Sequence, residues 1–212
     1  MLVGGASAQF DDAMATMRRA MPGALAILAF GSLVILFAFT GSVVLPLKAV
    51  VLNLLGLSAI FGVLVRGFQD GALAGLLGGF EVGGYLLWAV PIFLFCVAYG
   101  LSMDYEVFLL GRIREEYLTS GDNAESVALG LERVGRLVTA AAALVAIVFL
   151  SFATSGIVYL QAVGVGLALA VVLDATVIRA LLVPAFMRLA GRVNWWAPAP
   201  LRRLHRRIGI SD

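Results

Sequence analysis

The sequence predicts an all-α integral membrane protein, a bundle of five transmembrane helices with its N-terminus outside and its C-terminus in the cytoplasm. Three observations carry that expectation. Of 212 residues, 62% are hydrophobic and only 13% charged, and the mean hydropathy of +1.03 lies far above that of soluble domains. Five apolar segments approach the ~20 residues that a spanning helix needs. Lys and Arg gather on one side of those segments, as the positive-inside rule requires.

The elements follow in order. Residues 1–21, within "MLVGGASAQFDDAMATMRRAMPG", form a polar lead-in without the short apolar region and small-residue cleavage site of a secretory signal. The membrane domain covers residues 22–190, with spans at about 24–40, 47–65, 86–110, 137–153 and 158–186. Pro22 and Pro46 stand where a first helical turn tolerates proline, and Pro184 falls near the end of the last span. Continuous apolarity without strict alternation argues for helices rather than barrel strands. The connector "RGFQDGALAGLLGGFEVGGY" is glycine-rich and interfacial in character. The cytoplasmic loop 111–135 carries mixed charge and reads as a turn at Gly121-Asp122-Asn123, then an amphipathic helix entering the fourth span. A basic tail, 191–212, ends the chain.

With the N-terminus outside, the inner side holds Lys48, Arg112, Arg114, Arg133, Arg136, Arg179, Arg188, Arg192, Arg202, Arg203, Arg206 and Arg207. Only Arg18, Arg19 and Arg66 lie outside, 3 cations against 12. One local conflict stands out: Arg18 and Arg19 directly precede the first span, while the first inner loop offers only Lys48. Something upstream, such as an external domain and an earlier span, is expected to set the topology.

Several functions are disfavoured. Cys96 is the single cysteine and sits among Phe93, Phe95 and Val97, so it reads as inert packing. His205 has no metal-ligand company, and no nucleotide-binding loop is present. The tail "LRRLHRRIGI" suits an anionic lipid leaflet better than a nucleic-acid groove.

The stretch "YGLSMDYEVFLLGRIREEY" places Asp104, Tyr105 and Glu106 inside an apolar run. A carboxylate at mid-bilayer costs on the order of 3 kcal/mol and needs a partner, a cavity or a task. Asp104 falls to the inner side of the third span's middle, about two thirds of the way along it and within the hydrocarbon. Glu106, a further ~3 Å on, can snorkel to the interface. Gly100 lies one turn above Asp104, Phe108 one turn below and Gly111 two turns below, and the small residues let another helix or water approach. Tyr105 points about 100° away. Asp104 and Tyr105 are therefore candidates for a proton pathway.

Asp174, in "LALAVVLDATVIRALLVP", is a second intramembrane acid. It shares a face with Leu167, Ala170, Val171 and Ile178, and it could approach Asp104 or an interior cavity, or simply bond a neighbouring helix. Arg179, five residues on, would lie about 140° round an α-helix, a poor partner expected to snorkel inward. Gly164, Gly166, Ala168, Ala170 and the run 140–143 point to close helix packing. An aspartyl protease dyad would need both acids within a few ångströms. Such enzymes carry Gly-x-Gly-Asp where this chain has Gly-Leu-Ser-Met-Asp, which counts against catalysis.

The segment "GLSMDYEVFLLGRIREEY" resembles the tenth-helix motif of the mycobacterial membrane protein large (MMPL) family of the resistance-nodulation-division superfamily. The likeness continues through "VLPLKAVVLNLLGLSAIFGVLV", "SGDNAESVALGLERVGRLVTAAA", "GLALAVVLDATVIRALLVPA" and "GRVNWW", covering roughly residues 3–197. It implies that the chain corresponds to spans eight to twelve of a twelve-span, proton-driven exporter of lipids, glycolipids or drugs in a bacterial inner membrane. By the same matching, "VGGASAQFDD" ends an external porter domain. Asp104 and Tyr105 take the place of one Asp-Tyr pair of the proton relay, and Asp174 that of a supporting acid. The counterpart Asp-Tyr pair, the seventh span and both porter domains are not in this chain, and would come from a longer protein or a second chain. The implied partners are the bilayer, protons, that missing half and the exported molecule, with no cofactor and no nucleic acid. The superfamily also includes non-transport modules, such as secretion motor subunits and sterol-sensing-like scaffolds, which stand as the alternative.

Overall fold

A computed structural model describes residues 6–75, 77 and 89–208. Among them are five helices long and apolar enough to cross a membrane, over Asp12–Thr40, Val44–Gln69, Ala89–Ser120, Asn123–Thr154 and Val158–Trp195. The helices are α1 (Ala6–Thr40), α2 (Val44–Leu64), α3 (Ala89–Ser120), α4 (Asn123–Ser151) and α5 (Val158–Leu173), followed by short α6 (Val183–Ala190) and α7 (Ala199–Ile208). A π-helical segment, Asp174–Leu182, joins α5 to α6. The start of the third expected span, most of the glycine-rich connector and the two ends of the chain lie outside the described residues.

The helices outrun the apolar runs that mark them. With 35 residues α1 is about 52 Å long, against a hydrocarbon core of ~30 Å, so it projects well beyond the membrane. Pro22 is therefore not in a first turn but inside α1. The 32 residues of α3 and 29 of α4 also exceed a simple span. Residues 111–135 form the protruding end of this helical hairpin. Gly121 closes α3 with φ +70°, the left-handed conformation suited to glycine. Asp122 then caps α4, its Oδ1 accepting from the amides of Ala124 (2.7 Å) and Glu125 (3.1 Å).

Helix α3 is the shared wall of the bundle and packs against α1, α2, α4 and α5. Two small residues set the closest crossings. A Cβ on Gly130 of α4 would stand 3.0 Å from the Ile113 Cα of α3, and one on Gly164 of α5 would stand 2.6 Å from the Phe149 carbonyl oxygen of α4. Only glycine admits such backbone approach. Two large apolar cores result, beside a small cluster of Ala142, Ala146 and Val171. One gathers Leu36, Leu45, Leu110, Ile113, Val134 and Met187, and the other Leu64, Val90, Leu94, Ala162 and Leu167. Asn53, Ser102 and Asp174 fall in the gap between them along α2, α3 and α5.

The end of the bundle near the α3–α4 turn is knitted by "GRVNWW". Asn194, fully buried, donates to the carbonyls of Met187 (2.6 Å) and Gly191 (2.9 Å). Asn123 donates to the same Met187 carbonyl at 2.8 Å and accepts from Trp195 Nε1 at 3.0 Å. Ser42, in the α1–α2 turn, donates to the Asn194 carbonyl. Three turns thus share one polar knot. Asn194→Ala is expected to remove the side-chain donor to the Gly191 carbonyl and one of the donors to the Met187 carbonyl, which keeps Asn123, and to cost roughly 1–2 kcal/mol, read as a lowered melting temperature in detergent; unchanged melting would remove the knot from the account of stability.

Candidate functional site

The Asp-Tyr-Glu stretch divides around α3. Residues 102 and 106 are one turn apart and share a face, and both Ser102 and Glu106 are buried. Asp104, two residues from each, points off the other side and is exposed, while Tyr105 is half-buried between. Asp104 stands about two turns before the polar stretch that begins at Arg112, within the apolar part of α3. A Cβ at Gly100 or Gly111 would meet nothing within 4 Å, so the surface around Asp104 is uncovered by the described residues. Cys96 is exposed rather than packed, one turn before Gly100.

Glu106 does not snorkel. It is 3% exposed and faces Lys48, itself 4% exposed, at 3.7 Å. That distance is an ion pair longer than a hydrogen bond, and Lys48 Nζ and Glu106 Oε1 have no hydrogen-bond partner among the described residues. Lys48, expected in an inner loop, belongs instead to the beginning of α2.

Arg179 does not snorkel either, and it does pair with Asp174. Its Nε donates to Asp174 Oδ2 at 2.6 Å, and its Nη2 donates to the Ser102 carbonyl. The expected separation of ~140° assumed α-helical winding, whereas Asp174–Leu182 is π-helical. A π turn joins i to i+5, which brings residues 174 and 179 to one face. The guanidinium also lies over the Tyr105 ring, 5.0 Å from its centroid, a cation–π contact.

Ser102 completes the site. Its Oγ lies 2.6 Å from Asn53 Oδ1 and 2.7 Å from Asp174 Oδ1. One hydroxyl proton cannot serve both acceptors. Turning the Asn53 amide so that its NH2 donates to Ser102 leaves the hydroxyl proton for Asp174. Water-sized spaces adjoin the group: a cavity of about 20 Å³ between Asn53, Tyr99, Ser102 and Asp174, and one of about 90 Å³ beside Arg179, Thr139 and Gly135. Either volume can admit water.

Two cations and two carboxylates, Lys48, Arg179, Glu106 and Asp174, thus form a neutral buried set spanning α2, α3 and the π segment. Asp104 is apart from it. Asp174 is held on the Ser102 side of α3, so the structure does not bring the two aspartates together and offers no protease dyad. Asn53 and Ser102 escaped the sequence reading, which places Lys48, Glu106 and Arg179 without their partners. Asn53 carried a usable signal, since an amide amid 47–65 must find a partner in lipid.

A profile of the MMPL family matches residues 1–209. The chain belongs to the MMPL family. It is 49% identical over 210 residues to a membrane protein of Streptomyces coelicolor, covering 99% of this chain and 30% of that relative. It is 36% identical over its full length to the trehalose monomycolate exporter MmpL3 of Mycolicibacterium smegmatis, and covers 21% of it. It is 40% identical over 199 residues to the heme uptake protein MmpL11 of Mycobacterium tuberculosis, matching 92% of this chain and 20% of that protein. The chain thus spans only a fifth to under a third of the curated relatives it matches. It is a multi-pass membrane protein of a transporter family.

The buried pairs make a stability prediction. Lys48→Met strands Glu106 in an apolar setting, and removing one partner of a buried pair costs about 3–5 kcal/mol. The double change K48M/E106Q, which leaves no uncompensated charge, is expected to recover most of the lost yield and melting temperature. A double variant as poor as the single would show that the two charges are not coupled.

Proposed function

We propose that this chain is the C-terminal membrane portion of a proton-driven MMPL transporter that exports a lipid or similar amphiphile, with Asp104 and Tyr105 supplying one half of an Asp-Tyr relay. The observation that carries this reading is the uncovered Asp104 in the apolar part of α3. A lone carboxylate facing hydrocarbon is costly, and intramembrane acids face a bundle interior or a polar cavity. A further set of spans bearing a counterpart polar pair would cover it, and Gly100 and Gly111 leave room for a close crossing there.

The chain's own residues suggest how a proton would be felt. On taking a proton Asp104 loses its charge, and the cost of holding it against an apolar neighbour falls. Tyr105 stands between the two faces of α3, its ring under the Arg179 guanidinium. Arg179 is fixed in turn by Asp174 and the Ser102 carbonyl. These contacts tie the helix that bears Asp104 to the π segment and, through Ser102 and Asn53, to α2, so that a force arising at Asp104 acts on these helices as one unit. Asp174 has the supporting part: it orients Arg179 and accepts from Ser102.

Export is the direction named for MmpL3, whereas MmpL11 is named for uptake. The export reading rests on the higher-level resemblance, since the surfaces that would touch cargo are outside these spans.

In the intact protein, Asp104→Asn is expected to abolish proton-coupled transport while abundance in the membrane stays unchanged. Transport is followed as export of a labelled amphiphile from energised inverted vesicles into their lumen. Undiminished transport at normal abundance would overturn the relay assignment. Proton flux without any amphiphile movement in the wild type would favour the non-transport module.

A further inference from the structure

At the end of the bundle that carries the α3–α4 turn, a cleft of about 590 Å³ opens between the ends of α1 and α3 and helix α7. Its walls are cationic and aromatic: Arg114 and Tyr117 from α3, Trp195 from the turn after α6, and Arg202, Arg203 and His205 from α7. Tyr117 and Trp195 stack at 4.1 Å between centroids with 7° between planes, a rigid floor. Leu118, 70% exposed, gives the cleft an apolar edge. No carboxylate lines it. Nearby acids are engaged elsewhere, Glu115 with Arg112 at 2.6 Å and Glu116 with Arg133. Among the described residues neither Arg202 nor Arg203 forms an ion pair.

Helix α7 is docked. The His205 ring bonds the Ala38 carbonyl through Nε2 at 3.1 Å and meets the Phe37 ring edge-on at 5.7 Å. It also fills the space beside Gly41, where a Cβ would come within 3.0 Å of the imidazole. Arg202 and Arg203 are consequently held at the cleft rather than waving from a free tail.

We infer that this cleft binds the phosphate headgroup of an anionic phospholipid in the leaflet at this end of the bundle. Guanidinium groups match phosphate oxygens in bidentate geometry, and two of them are without a carboxylate partner here. The surroundings select a lipid over a soluble anion. Trp195 and exposed Trp196 mark the headgroup level of a membrane. Exposed Leu118 and Leu204 give the cleft an apolar rim beside the charged groups, a contact from which free phosphate gains nothing. A lipid seated there would bridge α7 to α1 and α3.

The full-length gene product, purified in mild detergent, is titrated with phosphatidylglycerol or phosphatidylcholine, and bound lipid is counted by native mass spectrometry. Phosphatidylglycerol should bind about tenfold more tightly than phosphatidylcholine, and R202Q/R203Q should weaken it about tenfold. R188Q/R192Q, which removes the same charge outside the cleft, should change that affinity less than about twofold. Glycerol 3-phosphate should not displace the lipid. Equal losses in both double variants would reduce the effect to bulk charge and overturn the site. Displacement by glycerol 3-phosphate would overturn the lipid assignment in favour of a soluble anion. Elution as wild type on size exclusion checks folding; should R202Q/R203Q fail it, R203Q alone takes its place, and unaltered phosphatidylglycerol binding by a folded variant overturns the proposal.

Discussion

The Arg179–Asp174 ion pair is the interaction on which the interior depends. In lipid a buried guanidinium must find both a counter-charge and acceptors for its remaining protons. Arg179 finds one carboxylate, one backbone carbonyl and one aromatic face, contributed by its own segment and by α3, while its Nη1 has no hydrogen-bond partner among the described residues. None of this is available to an α-helical 174–182, because five residues of α-helix would separate the two side chains. The π winding is what the pairing needs, and π segments occur mostly at functional places in helices. The local irregularity and the burial of the charge are therefore one fact seen twice.

From that pair the organisation of the polar layer follows. With Arg179 neutralised, Ser102 is positioned to meet Asp174 and Asn53, and the layer fits between two apolar cores without leaving a net charge. Glu106 and Lys48 add a second balanced pair. The bundle has thus compensated every buried charge on its inner side, which makes the contrast with Asp104 physically meaningful. That acid sits on the same helix, within one turn of the balanced set, and has been left on the outer surface. The proposed relay places the compensation of that fifth charge outside these spans.

The fold was largely legible because its signals are long-range averages. Five apolar runs, the turn at Gly121-Asp122-Asn123 and the all-helical class follow from hydropathy, glycine and capping chemistry, which neighbours scarcely alter. Helix ends were less legible, since α1 continues through Pro22 and α3 and α4 continue past the membrane on polar residues that hydropathy does not count. The site was legible only in part. Asp104, Tyr105 and Asp174 announce themselves as polar residues in apolar surroundings. Their partners do not: the Lys48–Glu106 pair joins residues 58 positions apart, and the Asp174–Arg179 pair depends on a change of helical winding that periodicity assumes away. Snorkelling was the natural expectation for Glu106 and Arg179 because single-helix reasoning knows of water but not of a facing helix.

The packing also says where motion can and cannot occur. Helix α3 is enclosed by four others, and at Gly130 and Gly164 the neighbouring backbones are so close that a single added carbon would collide. Contacts this tight resist sliding or rotation of one helix within the bundle. The Asn194 knot further joins the α1–α2 turn, the α3–α4 turn and the end of the last span. A change of charge at Asp104 therefore has little room to act by rotating α3 against its own neighbours. The compliant boundary is the uncovered face itself, where Gly100, Asp104 and Gly111 meet nothing from this chain, so the response consistent with the structure is a rigid shift of the five-helix unit against whatever covers that face.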